Sequence, residues 1–286
     1  MKSIFLFGKK WILEGYLPGS PKISLEGFAV KKSLYKKKSK YQVIEIFDTE
    51  GFGRMFFLDG LVQLSTKYEA VYHEMLVHPA MLSHSNPQTV LIIGGGDGGT
   101  LRETLKHPVK EVFLVEIDKE VIEVSKKYLP SVSSGAFNDS RTKIIIADGK
   151  DFIKQYQNYF DCIILDSNDP DGVMAAGLFG KSFFQKVKRA LKPDGIFALQ
   201  AGYISDKFGE NARRDLAKVF SFVQVHRAFV RHFPDDEHTF VIGTSRKGFM
   251  KISKHMIERA YKKRGLHTVY YSPAIHFASS VLPKSL

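Results

Sequence analysis

The stretch VLIIGGGDGGTLRETL (residues 90–105) indicates the fold of this 286-residue chain. It opens with a short apolar run typical of a buried strand, turns through a glycine-rich loop, and continues into a helix expected from Thr100. A buried strand followed closely by a helix is the repeating unit of α/β proteins. The stretch therefore predicts one such unit, with a loop of unusual backbone freedom at its turn.

The same alternation continues toward the C-terminus. Four further apolar runs predict strands: VFLVEID (112–118), KIIIAD (143–148), CIILD (162–166) and IFALQ (196–200). Helices are expected from Lys119, from Gly149 and over LFGKSFFQKVKRAL (178–191). A late pair of runs, residues 222–230 and 239–245, predicts an antiparallel hairpin at one edge. Near-continuous apolar strands separated by helices favour a mostly parallel sheet that is covered on both faces.

The first 70 residues have a different pattern, which is typical of β structure. Short runs rich in β-branched and aromatic residues are separated by Gly or Asp turns: FAVKKSLY (28–35), YQVIEIFDT (41–49), GRMFFLDG (53–60) and LVQLST (61–66). The segment KYEAVYHEMLVHPAMLS (67–83) then predicts the first helix. The chain thus reads as a β region followed by an α/β region.

Composition limits the class of protein. A hydrophobic fraction of 44% and a charged fraction of 25% are ordinary for a folded globular chain and exclude disordered and coiled-coil classes. One cysteine, Cys162, excludes an intramolecular disulfide framework and, inside an apolar run, is expected to be inert core. No apolar run approaches the length of a membrane span. We therefore predict a cytoplasmic protein without membrane association.

The net charge of +12 is concentrated in two segments. KKSLYKKKSK (31–40) carries six lysines and no acid, and residues 246–286 carry nine basic residues and one acid, Glu258. The rest of the chain is close to neutral. A nucleic-acid-binding protein would use these two segments, but solvated surface faces are the commoner explanation of such charge, so we expect no nucleic-acid partner.

Carboxylates follow four successive predicted strands. In an open α/β sheet, ligands bind beyond the carboxyl ends of the strands. The residues at those ends are GGGDGG (94–99), Glu116 and Asp118, Asp148 with Gly149, Asp166 and Asp169, and Gln200. The sequence therefore predicts a ligand site rich in negative charge.

The glycine-rich loop satisfies the pattern GxGxxG through Gly94, Gly96 and Gly99, and Glu116 follows Gly94 by 22 residues. This spacing favours a dinucleotide such as NAD. Asp97, however, would lie where a dinucleotide puts its pyrophosphate, and like charges in a partly dry cleft repel. A nucleoside sulfonium such as S-adenosylmethionine has no phosphate and fits better. Glu116 would then accept both ribose hydroxyls, and Asp148 the adenine amino group.

The motif DSNDPDG (166–172) adds Asp166 and Asp169 to the same cleft, which favours a polyamine as the second substrate. At this point the chain resembles the polyamine aminopropyltransferases, most closely the spermidine synthases. The resemblance rests on several blocks in order: residues 40–65, YEAVYHEMLVHPAML (68–82), 90–108, VEIDKEVIEVSKKYLP (115–130), ADGKDF (147–152), DSNDP (166–170), ALKPDGIFALQAG (190–202) and 270–286. It implies a Rossmann-like catalytic domain, residues 71–286, behind a small N-terminal β domain, residues 1–70, and a homodimer or homotetramer.

The resemblance also implies a reaction. Decarboxylated S-adenosylmethionine would donate an aminopropyl group to putrescine, giving spermidine and methylthioadenosine without a metal or a further cofactor. Asp166 matches the family's proton acceptor. The other matched positions are, for the substrates, Tyr72, His73, Asp97, Asp169, Gln200 and Trp11, and, for the nucleoside donor, Gln42, Gly94, Gly96, Asp97, Glu116, Asp148 and Gly149.

Two segments depart from the family pattern and leave the acceptor open. DSNDPDGVMAAGLF (166–179) has Asn168 and lacks the usual proline after Gly172. In RHFPDDEHTF (231–240), Phe233 stands where the family commonly has a tyrosine that touches the diamine, and the acids Asp235, Asp236 and Glu237 follow. Arg213 and Arg214 lie where relatives can present an acid near the distal amine. Agmatine, cadaverine and spermidine remain alternative acceptors.

Classes other than an aminopropyltransferase also remain. A methyltransferase would use S-adenosylmethionine itself, and an NAD oxidoreductase would need a phosphate site that Asp97 opposes. A non-catalytic relative that senses or scaffolds is a third alternative. The carboxylates Asp97, Glu116, Asp148 and Asp166 favour activity.

Overall fold

The computed structural model describes residues 2–14, 26–167, 177–233 and 236–284. The N-terminal strands form one antiparallel sheet in which each strand pairs with its neighbour in sequence. Its strands are β1 (Lys2–Leu6), β2 (Lys9–Glu14), β3 (Glu26–Lys38), β4 (Val43–Thr49), β5 (Gly53–Leu58) and β6 (Leu61–Ser65). The last four strands match the predicted β runs. The hairpin of β1 and β2 was not predicted, because its exposed apolar run lacks the alternation of a half-buried strand.

The α/β region begins with helix α1 and builds a second sheet. Its helices are α1 (Glu69–Ser83), α2 (Gly99–Leu105), α3 (Lys119–Tyr128), α4 (Pro130–Ser133), α5 (Gly149–Phe152), α6 (Lys181–Ala190), α7 (Lys207–Ala217), α8 (Lys254–Lys263) and α9 (Pro273–Ala278). Its strands are β7 (Thr89–Gly94), β8 (Glu111–Glu116), β9 (Thr142–Ile146), β10 (Phe160–Asp166), β11 (Leu191–Tyr203), β12 (Phe222–Ala228) and β13 (His238–Thr244).

The second sheet has the order β12-β13-β11-β10-β7-β8-β9. Strands β7 to β11 are parallel, and β13 enters antiparallel between β11 and β12. The predicted Rossmann-like class with an N-terminal β sheet is therefore confirmed, including the late hairpin with β12 at the edge. The predicted helices are present with shifted bounds, since α6 begins only after Gly180 and α5 ends after one turn.

The parallel strands are buried on both faces. Ile92 and Ile164 pack on the face covered by α1 and α2, and their neighbours Leu91 and Ile163 pack on the face covered by α6 and α7. Cys162 is fully buried in β10, as predicted, and burial raises the pKa of its thiol. No helix of the described residues is long and apolar enough to cross a bilayer.

The topology creates a crevice. The chain leaves β7 toward β8 on one side and continues from β10 to β11 on the other, so the loops after β7 and β10 separate at the carboxyl ends of the strands. The N-terminal sheet packs one face on α3, through Ile44 and Ile46 against Val121 and Val124. The loop between β3 and β4 thus reaches the carboxyl end of β8.

Candidate active site

The glycine-rich loop joins the ends of β7 and β10. Gly94 has a φ of +82°, and a Cβ there would lie 2.0 Å from the carbonyl oxygen of Asp166. The Gly95 N–H donates to that same carbonyl at 2.8 Å. Only glycine fits such a close approach, and the contact brings the Asp97 and Asp166 carboxylates to the same end of the crevice.

Asp166 lies at the end of β10 and accepts two hydroxyl hydrogen bonds. Tyr72 Oη donates to Oδ1 at 2.8 Å, and Thr100 Oγ1 donates to Oδ2 at 2.6 Å. Burial and the negative charge of Asp97 raise the pKa of Asp166, against the opposing effects of His73 and the two hydroxyls. A carboxylate with a raised pKa is a stronger base than an ordinary one.

Asp97 faces the imidazole of His73. Its Oδ1 accepts the Gly99 N–H at 2.7 Å and lies 3.3 Å from His73 Nε2. The other ring nitrogen, Nδ1, lies 2.6 Å from Glu69 Oε2. Burial opposes protonation of the ring, but the two carboxylates outweigh burial and raise the pKa of His73 to about 10. The imidazole is therefore charged at neutral pH and holds Asp97 as a carboxylate.

Glu69 is fixed in turn by Arg102 of α2. The guanidinium donates to both oxygens of Glu69, at 2.8 and 2.9 Å. Burial opposes ionisation of Glu69, but His73 and Arg102 outweigh it and lower its pKa to about 2. The ring of His73 lies directly over Gly99, where a Cβ would come within 2.3 Å of it. These contacts fix the position of the ring beside the glycine-rich loop.

Glu116 ends β8 on the far side of the loop. It is 8% exposed, and its Oε1 accepts the N–H of Asp118 at 2.9 Å. Burial first, and then the charges of Asp118 and Asp97, raise the pKa of Glu116 to about 7. A Cβ on Gly96 would lie 2.9 Å from Glu116 Oε2, so this glycine gives the carboxylate room.

Gln42 of the N-terminal sheet also reaches this point. Its Nε2 donates to Asp118 Oδ2 at 3.1 Å, and Ser39 Oγ donates to the same oxygen at 2.6 Å. The β3–β4 loop is thus tied to the residues just after β8. The structure brings Gln42 and Glu116 together, although they are 74 positions apart in the sequence.

Asp148 and Gly149 follow the end of β9. Asp148 caps α5, accepting the Lys150 N–H at 2.8 Å, and the Lys150 ammonium lies 3.5 Å from its other oxygen. A Cβ on Gly149 would lie 2.4 Å from Ile93 Cγ2, so the turn packs closely on β7. The acids predicted after β7, β8, β9 and β10 therefore share one edge of the sheet.

An aromatic wall stands beside Asp166. The ring of Tyr72 makes edge contacts with Phe233, His238 and Phe240, with centroid distances of 5.9, 5.5 and 5.5 Å. Gln200 lies behind it, 3% exposed, and its Nε2 donates to the Ser167 carbonyl at 2.8 Å. Gln200 is thus close to the predicted proton acceptor.

The remaining sequence candidates either make contacts other than those above or fall outside the described residues. Trp11 lies on β2, where its indole donates to the Leu6 carbonyl at 3.1 Å and its ring packs beside Gly27. Asp169 and Asp235 fall outside the described residues. Glu237 forms an ion pair with Arg227.

Arg213, on α7, lines a cavity of about 490 Å³ with Ile204, Asp206 and Glu210. Its Nη1 is buried without a hydrogen-bond partner in the described part of the chain.

The cluster at the crevice has the composition of a metal site, since donor atoms of His73, Asp97 and Asp166 all lie within 4.8 Å of one another. A metal needs a neutral imidazole nitrogen. Both nitrogens of His73 face carboxylates and its pKa is about 10, so the ring carries both protons. The cluster therefore suits a cationic organic ligand better than a metal.

Thr100 and Glu69 are among the contributors that the sequence did not indicate. Thr100 donates to Asp166, and Glu69 orients His73. The signal for Glu69 was its i,i+4 spacing from His73 on one helix face. No comparable local signal identifies Thr100, because its partner lies 66 positions away in sequence.

Comparison with known protein families agrees with this geometry. The model of the spermine/spermidine synthase domain matches residues 69–252, and the model of the spermidine synthase tetramerisation domain matches residues 11–66. Together the two models span most of the chain.

Individual relatives extend the similarity over nearly the whole length. The chain is 40% identical over 279 residues to the polyamine aminopropyltransferase of Clostridium tetani, covering 96% of this chain and 95% of the relative. It is 43% identical over 261 residues to that of Thermococcus onnurineus, covering 90% of each.

Solved structures are also similar over nearly the whole chain. A spermidine synthase in complex with the transition state analogue AdoDATO matches with a TM-score of 0.90 at 35% identity, covering 96% of this chain and 92% of that one. The spermidine synthase from Thermotoga maritima matches with a TM-score of 0.88 at the same identity and coverage. On these family matches, and with acids from four strand ends lining one crevice, the chain belongs to the spermine/spermidine synthase family of polyamine aminopropyltransferases.

Proposed function

We propose that this protein transfers the aminopropyl group of decarboxylated S-adenosylmethionine to putrescine, giving spermidine and methylthioadenosine. The observation that carries the proposal is the pair of carboxylates at the switch point of the sheet. Asp97 is held ionised by His73, and Asp166 has a raised pKa. One can bind a substrate ammonium while the other accepts a proton.

The donor would lie along the carboxyl ends of β7, β8 and β9. Glu116 would accept the ribose hydroxyls with Gln42 nearby, and Asp148 with Gly149 would hold the adenine. Asp97 would bind the terminal ammonium of the aminopropyl chain. S-adenosylmethionine carries a carboxylate at that end, and repulsion from Asp97 supports selection of the decarboxylated form.

The reaction is a direct displacement. The lone pair of a neutral amine attacks the aminopropyl carbon attached to sulfur, the C–S bond breaks, and its electron pair leaves on a neutral thioether. The new N–C bond makes the product nitrogen a secondary ammonium, which keeps its protons. An alkyl ammonium has an ordinary pKa of about 10.4 and must lose one proton before it attacks, and Asp166 takes that proton. Burial and the nearby sulfonium both favour that loss.

Each residue of the site has its own role in the proposed reaction. Asp166 acts as the general base, a role worth about 10²- to 10⁴-fold in rate. Tyr72 and Thr100 orient its two oxygens. The remaining acceleration comes from alignment of nitrogen, carbon and sulfur in line. Asp169 would help to bind the diamine, and Trp11 would serve at the pocket wall.

We also propose that the chain assembles as a homodimer or homotetramer. The match to a tetramerisation domain over residues 11–66 supports this assembly. Exposed apolar side chains on the N-terminal hairpin support it independently, with Phe5 80% and Phe7 85% exposed.

An acceptor panel tests the proposed function. Purified protein is incubated with decarboxylated S-adenosylmethionine and, separately, putrescine, agmatine, cadaverine or spermidine, and methylthioadenosine and amine products are measured by mass spectrometry. The expected result is the highest kcat/KM with putrescine. A parallel reaction with S-adenosylmethionine measures methyl transfer. The absence of methylthioadenosine with every amine would refute the proposal.

A further inference from the structure

His238, at the start of β13, lies at the centre of the aromatic wall. It is 6% exposed, and its ring centroid lies 5.5 Å from Tyr72, 5.4 Å from Phe233 and 5.3 Å from Phe240. Tyr203 closes the group at 5.8 Å. An imidazole surrounded by aromatic rings needs a hydrogen-bond partner for each of its nitrogens.

The tautomer of His238 follows from its contact with the side chain of Gln200. Gln200 donates through Nε2 to the Ser167 carbonyl, and its Oε1 accepts the Gly202 N–H at 2.9 Å. The amide orientation is therefore fixed, with its oxygen toward His238. His238 Nε2, 3.2 Å from that oxygen, must be the protonated nitrogen. Nδ1 is then a lone-pair acceptor.

This acceptor is buried and has no hydrogen-bond partner among the residues that the structure describes. Burial lowers the pKa of His238 to about 3, so the ring is neutral at physiological pH and Nδ1 does not gain a proton. A buried acceptor without a donor destabilises the protein unless a ligand supplies one. The aromatic faces around it attract cations, so an alkyl ammonium is the donor that this position suits.

His238 is connected to the reacting end of the site in two ways. The Tyr72 ring packs against His238 while its hydroxyl donates to Asp166. Gln200 bridges His238 and Ser167, the residue next to Asp166. An amine whose first nitrogen lies at Asp166 would extend its chain along this wall.

We propose that Nδ1 of His238 accepts a hydrogen bond from the second nitrogen of the amine substrate and so selects diamines over monoamines. The inference rests on the proposed function, since it assigns the distal end of that substrate. His238 belongs to residues 231–240, the segment that departs from the family pattern, and its ring packs against that of Phe233.

The test compares two amines and two variants. His238→Gln keeps a donor toward Gln200 but has no acceptor at the Nδ1 position, whereas His238→Asn keeps a carbonyl oxygen near that position. We expect His238→Gln to raise the KM for putrescine about ten- to a hundredfold, the value of a hydrogen bond to a charged group. The KM of His238→Gln for 1-aminobutane, which lacks the second nitrogen, should stay within about twofold of the wild-type value. His238→Asn, which keeps an acceptor, should have a KM for putrescine close to that of the wild type.

A matched control is His226→Gln. His226 is likewise a buried β-strand histidine with an unpartnered nitrogen among the described residues, but its Nδ1 pairs with Ser279 on the C-terminal segment. We expect a lower melting temperature for this variant and an unchanged KM for putrescine. A purely structural role of His238 would give the same result as this control.

A measurement on the wild-type protein covers the case in which the variants do not fold. With imidazole nitrogens labelled with ¹⁵N and methylthioadenosine bound, the His238 Nδ1 resonance should move upfield on addition of putrescine and not of 1-aminobutane. Equal amine KM values in wild type and variants, or an unmoved resonance, would overturn the role of His238 alone. Failure of the wild type to form methylthioadenosine would overturn the proposed function and this inference with it.

Discussion

At the scale of single residues, Asp166 offers the most direct test of the proposed chemistry. Asp166→Asn retains the size of the side chain but removes its ability to take a proton. We expect kcat to fall about 10²- to 10⁴-fold, the usual contribution of a general base. The affinity for methylthioadenosine, measured by calorimetry, should change by less than about threefold because Glu116 and Asp148 remain.

The control for this change is Asp139→Asn. Asp139 is a carboxylate outside the site that pairs with Arg141 at 2.8 Å, so its loss should leave kcat unaltered. A kcat for Asp166→Asn within tenfold of wild type would contradict the role of general base.

The protonation of His73 predicts how stability depends on pH. The imidazole has an ordinary pKa of 6.5 and a folded pKa of about 10, raised by Asp97 and Glu69 against burial. Its stabilising contribution is therefore complete below pH 6.5 and is lost as pH rises toward 10. The slope for one such group is at most about 1.4 kcal/mol per pH unit.

Denaturant unfolding from pH 6 to pH 10 measures this dependence. We expect the free energy of unfolding of the wild type to fall more steeply over that range than that of His73→Gln, which has no titrating group at the position. Parallel curves for the two proteins would show that His73 is not charged in the fold.

At the scale of elements, the loop between β7 and α2 depends on glycine at Gly94. An alanine there would adopt a φ of +82° and also meet the Asp166 carbonyl at 2.0 Å, so β7 and β10 would have to separate. Gly135 has a similar φ of +85° with nothing within 4 Å of its Cβ position. Its alanine variant thus isolates the cost of the left-handed backbone, about 1–2 kcal/mol.

We therefore expect Gly94→Ala to lower the melting temperature well beyond Gly135→Ala and to abolish methylthioadenosine binding. Differential scanning calorimetry with and without methylthioadenosine measures both effects. Equal melting temperatures and equal ligand-induced shifts in the two variants would refute the close approach.

The sequence predicted the elements that position the site better than it predicted their contacts. The strands that lead to Asp97, Glu116 and Asp148 are apolar runs bounded by Gly and Asp, and this pattern can be read from the local sequence alone. The exposed β1 could not be found in this way, because residues that face solvent show no burial pattern. The contact of Thr100 with Asp166 depends on packing between elements distant in sequence, which no local pattern encodes.

At the scale of the whole molecule, charge is divided between surface and site. Lys36 and Lys37 of the lysine-rich segment extend from β3 and pair with Glu45 and Glu120 at 2.7 Å each. The acids of the site converge instead at the carboxyl ends of the parallel strands. A protein with a net charge of +12 can thus attract cationic substrates, because the local field of the crevice, and not the total charge, acts on a ligand that enters it.

The N-terminal hairpin leads to the last prediction. β1 is an edge strand that pairs only with β2 in the described part of the sheet, and all five of its residues are exposed. Ile4, Phe5 and Leu6, followed by Phe7 in the turn, are 43%, 80%, 46% and 85% exposed. An exposed apolar edge strand is an aggregation hazard unless another chain covers it.

We therefore expect light scattering to give the wild-type protein a mass two or four times the 32.4 kDa of one chain. The double variant Phe5→Lys and Phe7→Asn should elute at a lower mass, since it removes the two most exposed apolar side chains of the hairpin, and Asn tolerates the positive φ of 49° at position 7. Val269→Ser removes an apolar side chain that is 87% exposed in the α/β region and should not change the mass. A monomeric wild type, or a double variant of unchanged mass, would show that this edge does not hold the assembly.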